Sequence, residues 1–168
     1  MMWFFLISGA LIAIPLMIEL TRAPMSSAER GTATGQFAQL SQGVTHYEWF
    51  GPKRGPIVVC IHGLTTPSVV WGSLSKGLAL MGRRVLTYDL YGRGYSDRPR
   101  GKQNEAFFIQ QLNNLLHHED ITGTFSIIGY SMGGAIASIF AATHPSRIGQ
   151  LILLAPAEIK INSGKLAN

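Results

Sequence analysis

Apolar and polar positions alternate along the chain in blocks with different periods. Residues 1–18, MMWFFLISGALIAIPLMI, carry no charge and are long enough to cross a bilayer as a helix. Residues 21–35 are rich in Ser, Thr, Ala, Gly and charge without an apolar period, and read as a linker. GQFAQLSQGVTHYEWFG then alternates around Gln42-Gly43, predicting two antiparallel strands joined by a hairpin. PIVVCIHG is a continuous apolar run, the pattern of a strand buried on both faces. Beyond it a helix is predicted near 68–81, a strand at RVLTYDL, a helix near 104–117, a strand at FSIIGYS, a helix over 132–143 and a strand at QLILLAP. Such alternation predicts the α/β class, a mostly parallel sheet with an N-terminal antiparallel hairpin and helices on both faces. The organisation expected is a hydrophobic segment at 1–20, a linker at 21–35 and one domain from 36 to 168.

Composition narrows this picture. An apolar fraction of 46% over 168 residues suffices for the core of one domain. The chain carries a net charge of +5, but its basic residues are dispersed apart from Arg93, Arg98, Arg100 and Lys102. No basic stripe with interleaved aromatics occurs, so no nucleic-acid partner is expected and that cluster reads as a solvated loop. The single cysteine, Cys60, lies in an apolar run and reads as a small buried hydrophobe. Neither a metal site nor a cofactor is expected. The N-terminal segment lacks Lys and Arg ahead of its apolar run, which favours an uncleaved membrane anchor over a signal peptide. Secretion after cleavage near Ser26-Ser27-Ala28 is the alternative, and Arg22 and Arg30 give only a weak vote for a cytoplasmic domain.

The chemistry gathers at strand ends. IHG, YDLYGRG, GYSMGG and APAE each follow a predicted strand, and ligands of parallel sheets bind beyond the carboxyl ends of the strands. In IIGYSMGGAIAS a strand pattern becomes a helix pattern at Ser131. A corner that sharp requires small neighbours, supplied by Gly129 and Gly133. It would lift the Ser131 hydroxyl clear of the sheet and aim the N–H of Met132 at any oxyanion formed there. Gly63, after His62, would turn the backbone so that the N–H of Leu64 faces the same rim. Leu64 and Met132 then form a two-donor oxyanion hole, in which losing one donor costs on the order of 3 kcal/mol of transition-state stabilisation. His62 reads as a polar residue that shapes this loop by local hydrogen bonding.

With HGL at 62–64, DLYGRGYSDRP at 89–99, GYSMGG at 129–134 and HPSRIGQLILLAPA at 144–157, all in order, the chain resembles a serine-nucleophile member of the α/β-hydrolase fold superfamily. The resemblance covers residues 36–157 and is nearest to the lipase, esterase and carbon–carbon bond hydrolase branch. Ser131 stands where epoxide hydrolases and haloalkane dehalogenases place Asp. The resemblance implies that Asp89, Gly92, Arg93, Gly94 and Ser96 build a turn beside the oxyanion loop, with Asp89 structural. His46, His117, His118 and His144 all read as structural. In the family an acid and a histidine follow the nucleophile, yet only 37 residues follow Ser131. The strand end where some relatives carry the acid falls near Ala155, leaving Glu158 as a poor substitute. The chain is therefore expected to be the N-terminal part of a longer hydrolase. Its expected substrate is a small acyl compound, an ester or else a thioester or activated carbon–carbon bond, and the hydrophobic segment favours lipid-like esters. The competing expectation is a complete, noncatalytic, membrane-tethered binding module.

Overall fold

The computed structural model describes residues 9, 11, 13–15, 17 and 25–158. Strands β1 (Gln36–Leu40), β2 (Gly43–Phe50), β3 (Ile57–Ile61), β4 (Arg84–Tyr88), β5 (Phe125–Tyr130) and β6 (Ile148–Leu154) form a sheet in the order β1-β2-β4-β3-β5-β6. The β1–β2 and β2–β4 pairs are antiparallel, and β4–β3, β3–β5 and β5–β6 are parallel. The α/β class and the antiparallel N-terminal edge therefore stand as read from the sequence. The hairpin turn falls on Ser41-Gln42, one residue earlier than expected, because Gly43 already pairs with Leu40.

The continuous apolar run of β3 is explained by burial on both faces. Val59 and Ile61 pack with Leu86, Tyr88 and Ile127 beneath helices α3 (Glu105–His118) and α4 (Met132–Thr143), which contribute Leu112, Leu115 and Phe140. Val58 and Cys60 point the other way, against Val85, Ile128 and Trp71. Each such buried side chain contributes about 1.5–3 kcal/mol. Cys60 is fully buried, and burial pushes its thiol up to about 12, so it is the inert hydrophobe expected.

Local chemistry sets the element ends. Asn104 caps α3 by accepting the N–H of Phe107. The helix expected near 68–81 is two elements, a 3-10 turn at Ser68–Trp71 and α2 at Gly72–Leu80. The stretch read as a linker contains a one-turn helix, α1 (Ser27–Arg30). Ser26 and Glu29 close a reciprocal capping box on it: the Ser26 N–H donates to Glu29 at 2.7 Å and the Glu29 N–H to Ser26 Oγ at 3.2 Å. Arg30 ends this turn and pairs with Asp97, tying the stretch to the domain. Among the described residues no helix is long and apolar enough to cross a membrane; the segment expected at 1–20 lies mostly outside them. At the other edge, β6 leaves Leu151, Ile152, Leu153 and Leu154 about two-fifths exposed.

Candidate active site

Ser131 sits on the corner between β5 and α4, as its flanking patterns predict. Its φ of +52° and ψ of −119° lie in a region that glycine occupies freely and serine rarely, at a cost of about 1–3 kcal/mol. Close packing enforces the corner. A Cβ on Gly133 would lie 2.1 Å from the carbonyl oxygen of Ile61 and 2.4 Å from that of His62, and one on Gly129 would lie 2.4 Å from the oxygen of Gly133. All these atoms are backbone, so only glycine fits at either position. The corner is also clamped from behind: Ser131 N–H donates to Leu154 O at 3.0 Å, and Ser131 O accepts from Ala157 N–H at 2.9 Å. Ser131 does not use its hydroxyl to cap α4.

The loop after β3 lies against this corner. A Cβ on Gly63 would sit 3.2 Å from Ser131 Cβ, which places the backbone of 62–64 beside the serine. Among the described residues, neither the N–H of Leu64 nor that of Met132 is paired with an acceptor. Met132 opens α4, where helix geometry leaves the N–H free. A serine hydroxyl flanked by two unpaired N–H donors can hold a tetrahedral oxyanion if a base removes the serine proton.

His62 is fully buried, with both ring nitrogens engaged. Nδ1 lies 2.7 Å from Gly63 O, so it donates; Nε2 accepts the N–H of Leu90 at 2.9 Å. Burial, acting on a ring that is neutral in this arrangement, lowers its pKa. Both bonds tie it to neighbouring loops, and it has no nitrogen left to act as a base. The remaining histidines lie elsewhere. His144 ends α4, twelve residues of helix from Ser131, about 18 Å along the axis, and stacks on Phe140. His117 and His118 end α3. Glu158 is exposed and follows the Ala157 that binds Ser131, but it is paired with no histidine among the described residues.

Asp89 is a buried carboxylate at the centre of a hydrogen-bond network. It is 1% exposed and accepts the N–H groups of Ser68 at 2.8 Å and Tyr95 at 3.0 Å. It also accepts His46 Nδ1 at 2.8 Å, while His46 Nε2 lies 2.6 Å from the carbonyl of Thr34. Both partners of the imidazole are acceptors, so it is satisfied only when doubly protonated. Burial alone would lower the His46 pKa; the bonds to Asp89 and Thr34 outweigh it and hold the value up. Burial likewise would raise Asp89, and its bonds from His46, Ser68 and Tyr95 hold it down.

Two contacts to this turn go beyond the sequence reading. Gln111 is fully buried on α3, donating to Thr45 Oγ1 and to Asp89 O, each at 3.0 Å, and accepting Tyr91 N–H at 3.0 Å. Its signal was a lone amide within the apolar stripe Phe108, Leu112, Leu115. Arg93 corrects the reading of the basic cluster as a wholly solvated loop, because its Nε donates to Leu64 O at 3.0 Å. No cluster of metal-ligating side chains occurs among the described residues.

A family model described as alpha/beta hydrolase fold matches residues 56–166. A putative 2-succinyl-6-hydroxy-2,4-cyclohexadiene-1-carboxylate synthase of Bacillus subtilis is 35% identical over 106 residues, 61% of this chain and 37% of that protein. Lipase LipV of Mycobacterium tuberculosis is 31% identical over 112 residues, 67% and 41% of the two chains. Among solved structures, a carboxylesterase study of Nitrososphaera gargenis matches with a TM-score of 0.70 at 29% identity, covering 79% of this chain and 49% of that one. The chain thus spans less than half the length of each of these relatives.

Two outcomes follow from this geometry. Replacing Ser131 with Gly removes the strained conformation and should raise the free energy of unfolding in urea by about 1 kcal/mol relative to Ser131→Ala, which keeps it; a Gly variant less stable than the Ala variant would contradict the strain. The second concerns pH. The raised His46 value makes its contribution complete below the ordinary histidine pKa of about 6.5 and lost as pH rises through the folded-state value. The depressed Asp89 value makes its contribution complete above about 3.9 and lost as pH falls through the folded-state value. His46→Gln should therefore cost about 3 kcal/mol near pH 5, and the deficit should shrink as pH is raised in a denaturation series. A pH-independent deficit would rule out the charged pair.

Proposed function

Because the chain belongs to the alpha/beta hydrolase fold family, we propose that Ser131 is the nucleophile of a hydrolase that cleaves carboxylic esters, or else thioesters or activated carbon–carbon bonds. The observation that carries this reading is the strained Ser131 corner, with its hydroxyl uninvolved in capping and Leu64 and Met132 offering unpaired N–H groups beside it. In the first step Ser131 Oγ bonds to the acyl carbon while its proton passes to a base, and the oxyanion is held by Leu64 and Met132. Collapse expels the alcohol, which takes a proton, and leaves an acyl-serine. Water then adds to that carbonyl and returns the serine as the acid departs. The carboxylesterase and lipase among the relatives support the ester as substrate.

All five histidines of the sequence are described, and none is bonded to Ser131. We assign the base and its carboxylate to polypeptide outside the 168 residues, in keeping with matches that cover less than half of each relative. A second reading, a noncatalytic tethered binding module, draws on that same lack of a paired histidine. Against it stand the strain kept at Ser131 and the glycines at 129 and 133, which binding alone does not require.

Chemical rescue separates the two. The chain should react slowly with a fluorophosphonate at Ser131, and added imidazole, standing in for the base, should accelerate this at least about tenfold. Peptide mapping should place the adduct on Ser131, and Ser131→Ala should abolish it. Rescue by imidazole without an adduct at Ser131, or no rescue at all, would reject the nucleophile assignment. Membrane attachment through residues 1–20 belongs to the same proposal and is supported by their uncharged apolar run. Deleting residues 1–24 should move the protein from the detergent to the aqueous phase in Triton X-114 separation. Unchanged partitioning would reject the anchor.

A further inference from the structure

Beside the oxyanion loop lies a cavity of about 690 Å³, walled by the 64–67 loop, the 92–94 turn and the 98–103 loop. Arg93, Arg98 and Arg100 line it, and no Asp or Glu does. None of the neighbouring carboxylates among the described residues is ion-paired with Arg93, although the charge of Glu29 acts on Arg98. Asp89 is buried with His46, Ser68 and Tyr95; Asp97 holds Arg30 and the N–H of Val44; Glu29 closes its capping box with Ser26.

Arg93 is the informative side chain. Its Nε donates to Leu64 O at 3.0 Å, and its Nη1 donates to Tyr91 O and to Gln103 Oε1, each at 2.8 Å. These three acceptors are neutral, so a partly buried cation is fixed in place without a counter-charge. Its two Nη2 donors have no partner among the described residues. Guanidinium recognition of carboxylates and phosphates is strongest when the fork is held before the ligand arrives. Burial of Arg93 also lowers its pKa, the direction expected of a cation short of an anion.

We propose that this cavity binds an anionic oxyacid group, a carboxylate or a phosphate, and that the ester attacked at Ser131 carries that group. The two places are joined through the 63–64 loop. Arg93 bonds Leu64, and the adjoining Gly63 lies against Ser131. An acyl carbon over Ser131 therefore has the arginine cavity as its neighbour on the Leu64 side. The second clause rests on the nucleophile reading of Ser131; the anion site itself does not. A soluble ester acid and an anionic lipid headgroup share this chemistry.

The test is direct binding to the 168-residue chain in non-ionic detergent, followed by the Nε–H resonances of its arginines. Inorganic phosphate and monomethyl succinate should shift the Arg93 resonance saturably, and neutral methyl butyrate should not. Mixed micelles of phosphatidylglycerol form the lipid arm: saturation there and not with the soluble acids assigns the anion to a headgroup. Arg98→Gln with Arg100→Gln changes only exposed side chains and should weaken binding about tenfold. Arg93→Gln should abolish it, with the backbone amide spectrum reporting whether the loop stays folded. No saturable shift with any of the anions, or equal affinity in the double variant, overturns the site. The fluorophosphonate result is independent: labelling of Ser131 without anion binding keeps the hydrolase and removes this proposal. Anion binding by a chain whose Ser131 never reacts keeps the site and removes only its link to an ester.

Discussion

The buried carboxylate of Asp89 is the constraint on which the rim of this sheet depends. At 1% exposure it could not remain ionised alone. It does so by collecting donors from three separate stretches: His46 of β2, the Ser68 N–H that starts the 3-10 turn, and the Tyr95 N–H of the loop after β4. The imidazolium of His46 passes the requirement on to the carbonyl of Thr34. One desolvated charge therefore dictates the path of the chain before β1, the start of the helical segment after β3 and the fold of the Gly92–Asp97 turn. The 62–64 loop is suspended between these anchors, with His62 bonded to Leu90 and Arg93 bonded to Leu64.

The serine corner is fixed by a different means. Repulsion between backbone atoms, rather than attraction to a charge, leaves room for nothing larger than hydrogen at Gly129 and Gly133. Steric exclusion of this kind is short-ranged and stiff, so it holds the backbone at Ser131 within narrow limits. The two regimes meet at 62–64, where the polar network holds one side of the loop and the glycine contacts hold the other.

These regimes differ in how plainly they are written in the sequence. The parallel sheet was legible because period and length discriminate strands buried on both faces from amphipathic helices, and α4 occupies the residues expected of it. The Ser131 corner was legible because sterics select glycine at fixed spacing, a signal confined to five residues. The Asp89 network was only half legible. The turn motif marked Asp89, but its cation, His46, lies 43 positions away on a hairpin where histidine is unremarkable by composition. Gln111 and the inner role of Arg93 were hidden for the same reason: a partner far along the chain leaves no local period. The capping box at Ser26 and Glu29 had a local signature but stood in a stretch without apolar pattern, and so read as linker.

The clamp on Ser131 from Leu154 and Ala157 gives the corner an unusual dependence. Both partners belong to β6 and the residues just after it, at the sheet edge with the most exposed apolar side chains. Edge strands open by local fraying more readily than central ones, and amide exchange follows such openings. Each excursion of β6 releases the Ser131 N–H and removes the Ala157 donor from its carbonyl, which keeps the N–H groups of Gly134 and Ala135. The exposed edge of the sheet thus carries part of the hydrogen bonding of its most constrained backbone conformation, and the glycine contacts carry the rest.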